Sequence, residues 1–179
     1  MRSKEGIAMD YKVTKEAKEE FLEVYDREHE TTMKVLRAYP EDKADFKPHP
    51  TSQSARELAW TFAKERRLGT LLHQDAFAKE MPSGQPPPPP DSWAELLATL
   101  ERMHREYRAL IAATPEEDLS RTIRFFVGPK TMGDIPRLVS AWWLLHDQIH
   151  HRGQLTVYLR MVGGKVPSVY GPSLDEPWF

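Results

Sequence analysis

His146, Asp147, His150 and His151 fall within one short segment, His146-Asp-Gln-Ile-His-His-Arg-Gly-Gln-Leu155. Imidazole and carboxylate are usual protein donors to zinc, nickel and non-haem iron. The spacing gives two i,i+4 pairs, His146/His150 and Asp147/His151. On a helix each pair lies on one face and can share a small ligand. These four residues are the candidate metal ligands. Set against that is a plainer reading, in which His146 and His150 are interior or rim histidines hydrogen-bonded to backbone or carboxylate. Asp147, taken alone, reads as an ion-pair partner of Arg152, Arg160 or an arginine on a neighbouring helix. The pattern assigns no catalytic nucleophile.

Such pairs need a long helix, and the sequence predicts four. The first runs from Thr14 to Ala38, where Phe21, Leu22, Tyr25, His29, Met33 and Leu36 recur at spacings of three and four. The second starts at Ser54, which forms a capping box with Glu57, and runs to about Glu80. Its apolar positions are Leu58, Phe62, Leu68, Leu72 and Phe77. The third starts at a second box, Ser92 with Glu95, and ends near Ala113. The fourth extends from about Asp134, as N-cap, to Val162, with Gly163-Gly164 as its stop. Trp60, Trp93, Trp142 and Trp143 read as core or interface residues, and Lys64-Glu-Arg-Arg67 as a solvated face. Gly153 inside the last helix reads as a close helix approach, with Gln154 bonding across it.

The connections are also legible. Met81 to Pro90 carries five consecutive prolines and reads as a stiff polyproline spacer. Thr114-Pro115 starts one turn. Arg121 to Val127 alternates loosely and looks extended, with a small hairpin around Gly128-Pro129. The tail, Lys165 to Phe179, is Pro-rich and expected to pack through Val169, Tyr170, Trp178 and Phe179. The expected fold is therefore all-α: a four-helix bundle in one domain over 1-179, with a core of about 14-163 and a tail of 164-179.

The totals exclude several classes. The chain has 179 residues, 29% charged and 40% hydrophobic, fitting one globular domain with a real core. A net charge of -2 gives no bulk attraction to nucleic acid. No apolar run approaches the length of a membrane span, and the start lacks a secretory h-region, so the expected compartment is the cytoplasm. Without cysteine there is no thiol nucleophile and no cysteine-based metal site, so any metal must rest on His, Asp and Glu.

The run His146-Asp-Gln-Ile-His-His-Arg-Gly-Gln, followed by Gly163-Gly-Lys-Val-Pro-Ser-Val-Tyr-Gly-Pro172, resembles the last helix and tail of the DinB-like family. Pro48-His-Pro-Thr-Ser52, Ala55-Arg-Glu-Leu-Ala-Trp60 and Thr131-Met-Gly-Asp134 resemble its earlier landmarks, in the same order. The resemblance covers about residues 14 to 172. It implies a four-helix bundle, often a homodimer, with a divalent metal, commonly nickel or zinc, at one end. It also implies a small-molecule or thiol substrate, since related families run thiol-dependent transfers at such a site.

Three histidines hold the metal in the typical pattern, one from helix 2 and two, four residues apart, from helix 4. Counting back from Arg152-Gly153-Gln154 puts the helix-4 positions at His151 and Asp147. A register one residue earlier puts them at His150 and His146. The helix-2 position falls on Thr61 or its neighbour Trp60, neither a usual ligand. Glu65, His29 and His73 are the residues that could substitute. Two functions are therefore carried forward. One is a metal-dependent thiol transferase or related enzyme. The other is a degenerate, non-catalytic dimer with a small-molecule pocket and no metal.

Overall fold

The computed structural model describes residues 11-78 and 84-179. Four long helices dominate it: α1 (Lys15–Ala38), α2 (Ala55–His73), α3 (Trp93–Ala113) and α5 (Arg137–Met161), with a five-residue α4 (Glu116–Ser120) between the last two. Their starts follow from side-chain caps. Thr14 accepts from Ala17 N, Ser92 from Glu95 N, and Ser54 forms the full capping box with Glu57. Each such cap satisfies an otherwise orphaned N–H and contributes about 1 kcal/mol.

α2 packs against α3 and α5, and α1 packs against the same two helices from the other side. Hence α2 with α5 and α1 with α3 form opposite walls. One end of the core gathers Leu36, Leu58, Phe62, Leu96, Leu100, Leu155 and Leu159, and the other gathers Phe21, Tyr25, Tyr107, Ile111, Leu138 and Leu145. A close helix approach occurs at Gly69 of α2, where an added Cβ would lie 2.7 Å from the Tyr107 ring. Gly153 faces open space, so the close approach expected there is absent.

Two element boundaries differ from those expected. α2 stops at His73, because the chain turns through Gln74 and a left-handed Asp75 (φ 54°). The rest of the expected helix, and Met81 to Ser83 of the spacer, lie partly or wholly outside the described residues. The expected small hairpin is a two-stranded antiparallel sheet, β1 (Thr122–Gly128) with β2 (Thr131–Pro136). Asp134 lies within β2 and is no N-cap: it pairs across the strands with Arg124, 3.3 Å away, and α5 begins three residues later behind Pro136.

The prolines lie along α2. The Trp60 indole N–H donates to Pro87 O at 2.7 Å, and Arg56 donates to Pro90 O and Asp91 O. The tail is tied back by buried charge. Arg152, 1% exposed, pairs with Glu28 Oε2 at 2.8 Å and donates to the Tyr170 hydroxyl, which donates to Glu28 Oε2 at 2.6 Å. Trp178 bonds Ser168, whereas Phe179 is fully exposed and packs on nothing.

Candidate metal centre

Glu65 of α2 meets Asp147 and His151 of α5 where these two helices pack together. One donor atom from each lies within 4.8 Å of the others. His151 Nε2 is 3.5 Å from Glu65 Oε1 and 3.5 Å from Asp147 Oδ2, contacts too long for good hydrogen bonds. Asp147 and His151 come together because they are one turn apart. Glu65 joins them because it occupies the inward phase of α2, in the series Leu58, Phe62, Glu65, Gly69, Leu72.

Glu65 is 5% exposed, and neither carboxylate oxygen has a hydrogen-bond partner. A buried carboxylate left so is costly and calls for an explanation. Burial first, then the negative charge of Asp147, pushes its carboxyl up to about 9. A cation between the three residues would remove that cost. The two 3.5 Å separations from His151 suit one: a tetrahedral zinc with bonds of about 2.0–2.1 Å holds its ligand atoms about 3.3 Å apart.

Gln154 sets the imidazoles. Its Oε1 is 3.2 Å from His151 Nδ1, and its Nε2 is 2.9 Å from His150 Nε2. With that amide orientation, His151 donates from Nδ1–H and keeps the Nε2 lone pair towards Glu65 and Asp147. This proton assignment follows from the hydrogen-bond network. It leaves His151 in the tautomer a ligand through Nε2 needs.

His146 and His150 are not part of this cluster. They line the adjoining cleft of about 530 Å³, with Leu68, Phe125, Trp143, Leu144 and Asp147. Asp147 pairs with neither arginine expected of it, since Arg152 is bound to Glu28 and Arg160 to Asp175. Trp60 is turned to the prolines, and the Thr61 hydroxyl donates back to Glu57 O. His73 bonds Thr114, and His29 accepts from Arg66 and stacks on His104, so neither joins the cluster. The stretch from Lys64 to Arg67 is not a solvated face, because Glu65 and Arg66 are both buried. A carboxylate and a guanidinium at inward positions of an apolar stripe were the sequence signal for this. Of the four helical tryptophans, Trp60 and Trp93 are buried, Trp142 packs edge-on against Phe21, and Trp143 is 43% exposed at the cleft.

A helical bundle with a His–carboxylate cluster between two of its helices defines the class. The sequence model of the DinB family matches residues 9–178, and the chain belongs to that family. Uncharacterized protein YrdA of Bacillus subtilis is 26% identical over 161 residues, covering 87% of this chain and 89% of that one. A DinB-like protein from Bacillus cereus superposes with TM-score 0.68 at 24% identity, over 89% of this chain and 99% of its own. YfiT from Bacillus subtilis, described as "a probable metal-dependent hydrolase with an unusual four-helix bundle topology", superposes with TM-score 0.62 at 15% identity, over 92% of this chain and 95% of its own. At such identities these structures speak for the fold alone. Among the described residues no helix is long and apolar enough to cross a membrane.

Proposed function

We propose that Glu65, Asp147 and His151 hold one divalent metal ion and that the protein is a metal-dependent enzyme of the hydrolase or thiol-transferase kind. The observation that carries this is the Glu65 carboxylate, buried with both oxygens unpartnered and facing two further donors. YfiT's description as a metal-dependent hydrolase is consistent with it. Three protein donors leave a coordination position open, as catalytic sites require. Bound there, the ion would supply Lewis acidity and a nucleophile active near neutral pH. Two oxygens and one nitrogen suit zinc, which has no geometric preference of its own, at least as well as nickel.

The chain's own residues would do the rest. Gln154 holds His151 in its ligand tautomer. His150, whose Nε2 accepts from Gln154, lines the cleft and would be the residue to exchange a proton with substrate there. We further propose a cytoplasmic homodimer acting on a small molecule, with no nucleic-acid partner.

The competing reading is a non-catalytic bundle without metal. It is favoured by Thr61, which stands where the resemblance places a histidine and satisfies its hydroxyl within its own helix. Elemental analysis of protein purified without a histidine tag, followed by titration with zinc and nickel, separates the two. About one ion per chain, lost in Asp147→Ala and in His151→Ala, is expected. Loss only in His146→Ala and His150→Ala would move the site to the other register. Failure to take up either metal in excess would leave the non-catalytic reading.

A further inference from the structure

Three of the clefts among the described residues differ in charge. The groove between α1 and α3 is lined by Arg37 and Arg105 together with Glu30 and Glu101. The slot beneath Pro86 and Pro87 carries Lys64, Arg67 and Arg102. The cleft beside the metal centre has neither lysine nor arginine among its lining residues.

That cleft is continuous with Glu65, Asp147 and His151. Asp147 belongs to both. Leu68 lies one turn beyond Glu65 on α2, and Leu144 one turn before Asp147 on α5. Phe125 of β1 also lines this open cleft, held edge-on by Phe77 at a centroid distance of 5.3 Å. Trp143 stands at the rim, 43% exposed, whereas its neighbour Trp142 packs into the core cluster. About 530 Å³ lies within the range of small-molecule sites, about 300–1,000 Å³. Two aromatic rings and two leucines, with polar groups only along the wall of His146, Asp147 and His150, define the occupant. It must be largely apolar, it must present a flat or branched group to the rings, and a phosphate or sulfonate within the cleft would meet no lysine or arginine.

We propose that this cleft is the substrate's specificity pocket, and that it takes an uncharged small molecule bearing an aryl or branched acyl group, whose adjoining polar group is delivered to Glu65, Asp147 and His151. The proposal rests on the metal-centre reading only for what happens to that polar group. The occupancy itself needs no metal, which lets the two be tested apart.

The probes are phenylacetamide and phenyl phosphate, titrated into metal-free protein and followed by NMR of the Leu68 and Leu144 methyls and the Trp143 indole. Phenylacetamide is expected to shift all three signals and to bind at least tenfold tighter than phenyl phosphate. Trp143→Ala, at an exposed position that should not disturb folding, should weaken it at least fivefold, while Leu174→Ala on the tail should leave it unchanged. Equal or tighter binding of phenyl phosphate would overturn the proposal, as would shifts confined to residues of the α1–α3 groove, or no binding. So would probe affinity that vanishes at high protein concentration together with a dimer that Trp143→Ala dissolves, because the cleft would then be a contact between copies. Metal uptake with no phenylacetamide binding sinks this proposal alone, and phenylacetamide binding without metal uptake sinks only the metal centre.

Discussion

Glu65 makes the sharpest prediction at the scale of single residues, because its charge state depends on whether a cation is present. With its carboxyl pushed up to about 9 by burial and Asp147, it is protonated at neutral pH in the metal-free protein. Glutamine has the same shape and is also neutral, so near pH 5, where the unfolded glutamate is itself partly protonated, Glu65→Gln should change metal-free stability by less than about 1 kcal/mol in thermal unfolding. The same change should lower zinc affinity by at least a hundredfold in calorimetric titration, since glutamine offers no anionic donor. A large loss of metal-free stability with zinc binding intact would mean that Glu65 is structural. Gln154 acts on the metal only through His151. Gln154→Leu should weaken zinc binding roughly 10–100-fold, and the ¹⁵N shifts of His151 in metal-free protein should show its Nδ1–H tautomer giving way to a mixture. Asp147 and His151 were legible in the sequence because helical spacing alone pairs them. Glu65 could be read only as a substitute for a missing histidine, and the charges around it pointed the other way. What decides its role is the phase of α2, set by leucines and phenylalanine on either side.

Elements are positioned by a few long-range contacts that no local pattern encodes. The helix cores and their caps were readable, since capping boxes and three-four periodicity are local. The end of α2 was not, because Leu68, Leu72 and Phe77 continue the apolar pattern past the turn at Asp75. Nor was the start of α5, where Asp134 has the chemistry of an N-cap but is used across a hairpin by Arg124. The clamp of Arg152, Glu28 and Tyr170 joins three segments far apart in sequence, and neither arginine nor tyrosine announces it. Arg152→Ala leaves Glu28 buried without its partner and should cost about 3–5 kcal/mol in urea unfolding. Tyr170→Phe keeps the ion pair and removes only the hydroxyl, so it should cost about 1–2 kcal/mol. Its distinguishing effect is local: hydrogen exchange at Val166 and Ser168 should quicken while the helix cores stay protected. Uniform loss of protection would show that the tail holds the bundle together as a whole.

At the scale of the whole molecule, buried titratable groups on opposite walls act on stability with opposite signs. His29 and His104 stack at 3.8 Å between α1 and α3, with Arg66 on His29, and with Asp26, itself bonded to Arg108, on His104. Burial first, then the positive charge of neighbours, holds them down, His29 to about 2 and His104 to about 4. Arg37 and Arg105 add to the effect on His29. Unfolded, both would titrate near 6.5, so the unfolded chain binds more protons between pH 6.5 and 4. The stability they contribute is complete above pH 6.5 and is lost as pH falls. By pH 5 the loss is roughly 2 kcal/mol for each. Glu65 works the other way. Its folded pKa is raised, so the metal-free native state binds the extra proton between about pH 4.5 and 9 and gains roughly 2 kcal/mol as pH falls from 6.5 to 5. Metal-free wild type should therefore lose only about 2 kcal/mol over that interval, read from urea midpoints. Glu65→Gln should lose about 4, because the opposing group is gone. Adding His104→Phe, which keeps a ring in the stack and leaves Asp26 to Arg108, should bring the loss back to about 2. The same pH slope in all three proteins would mean that these buried groups do not govern the acid response.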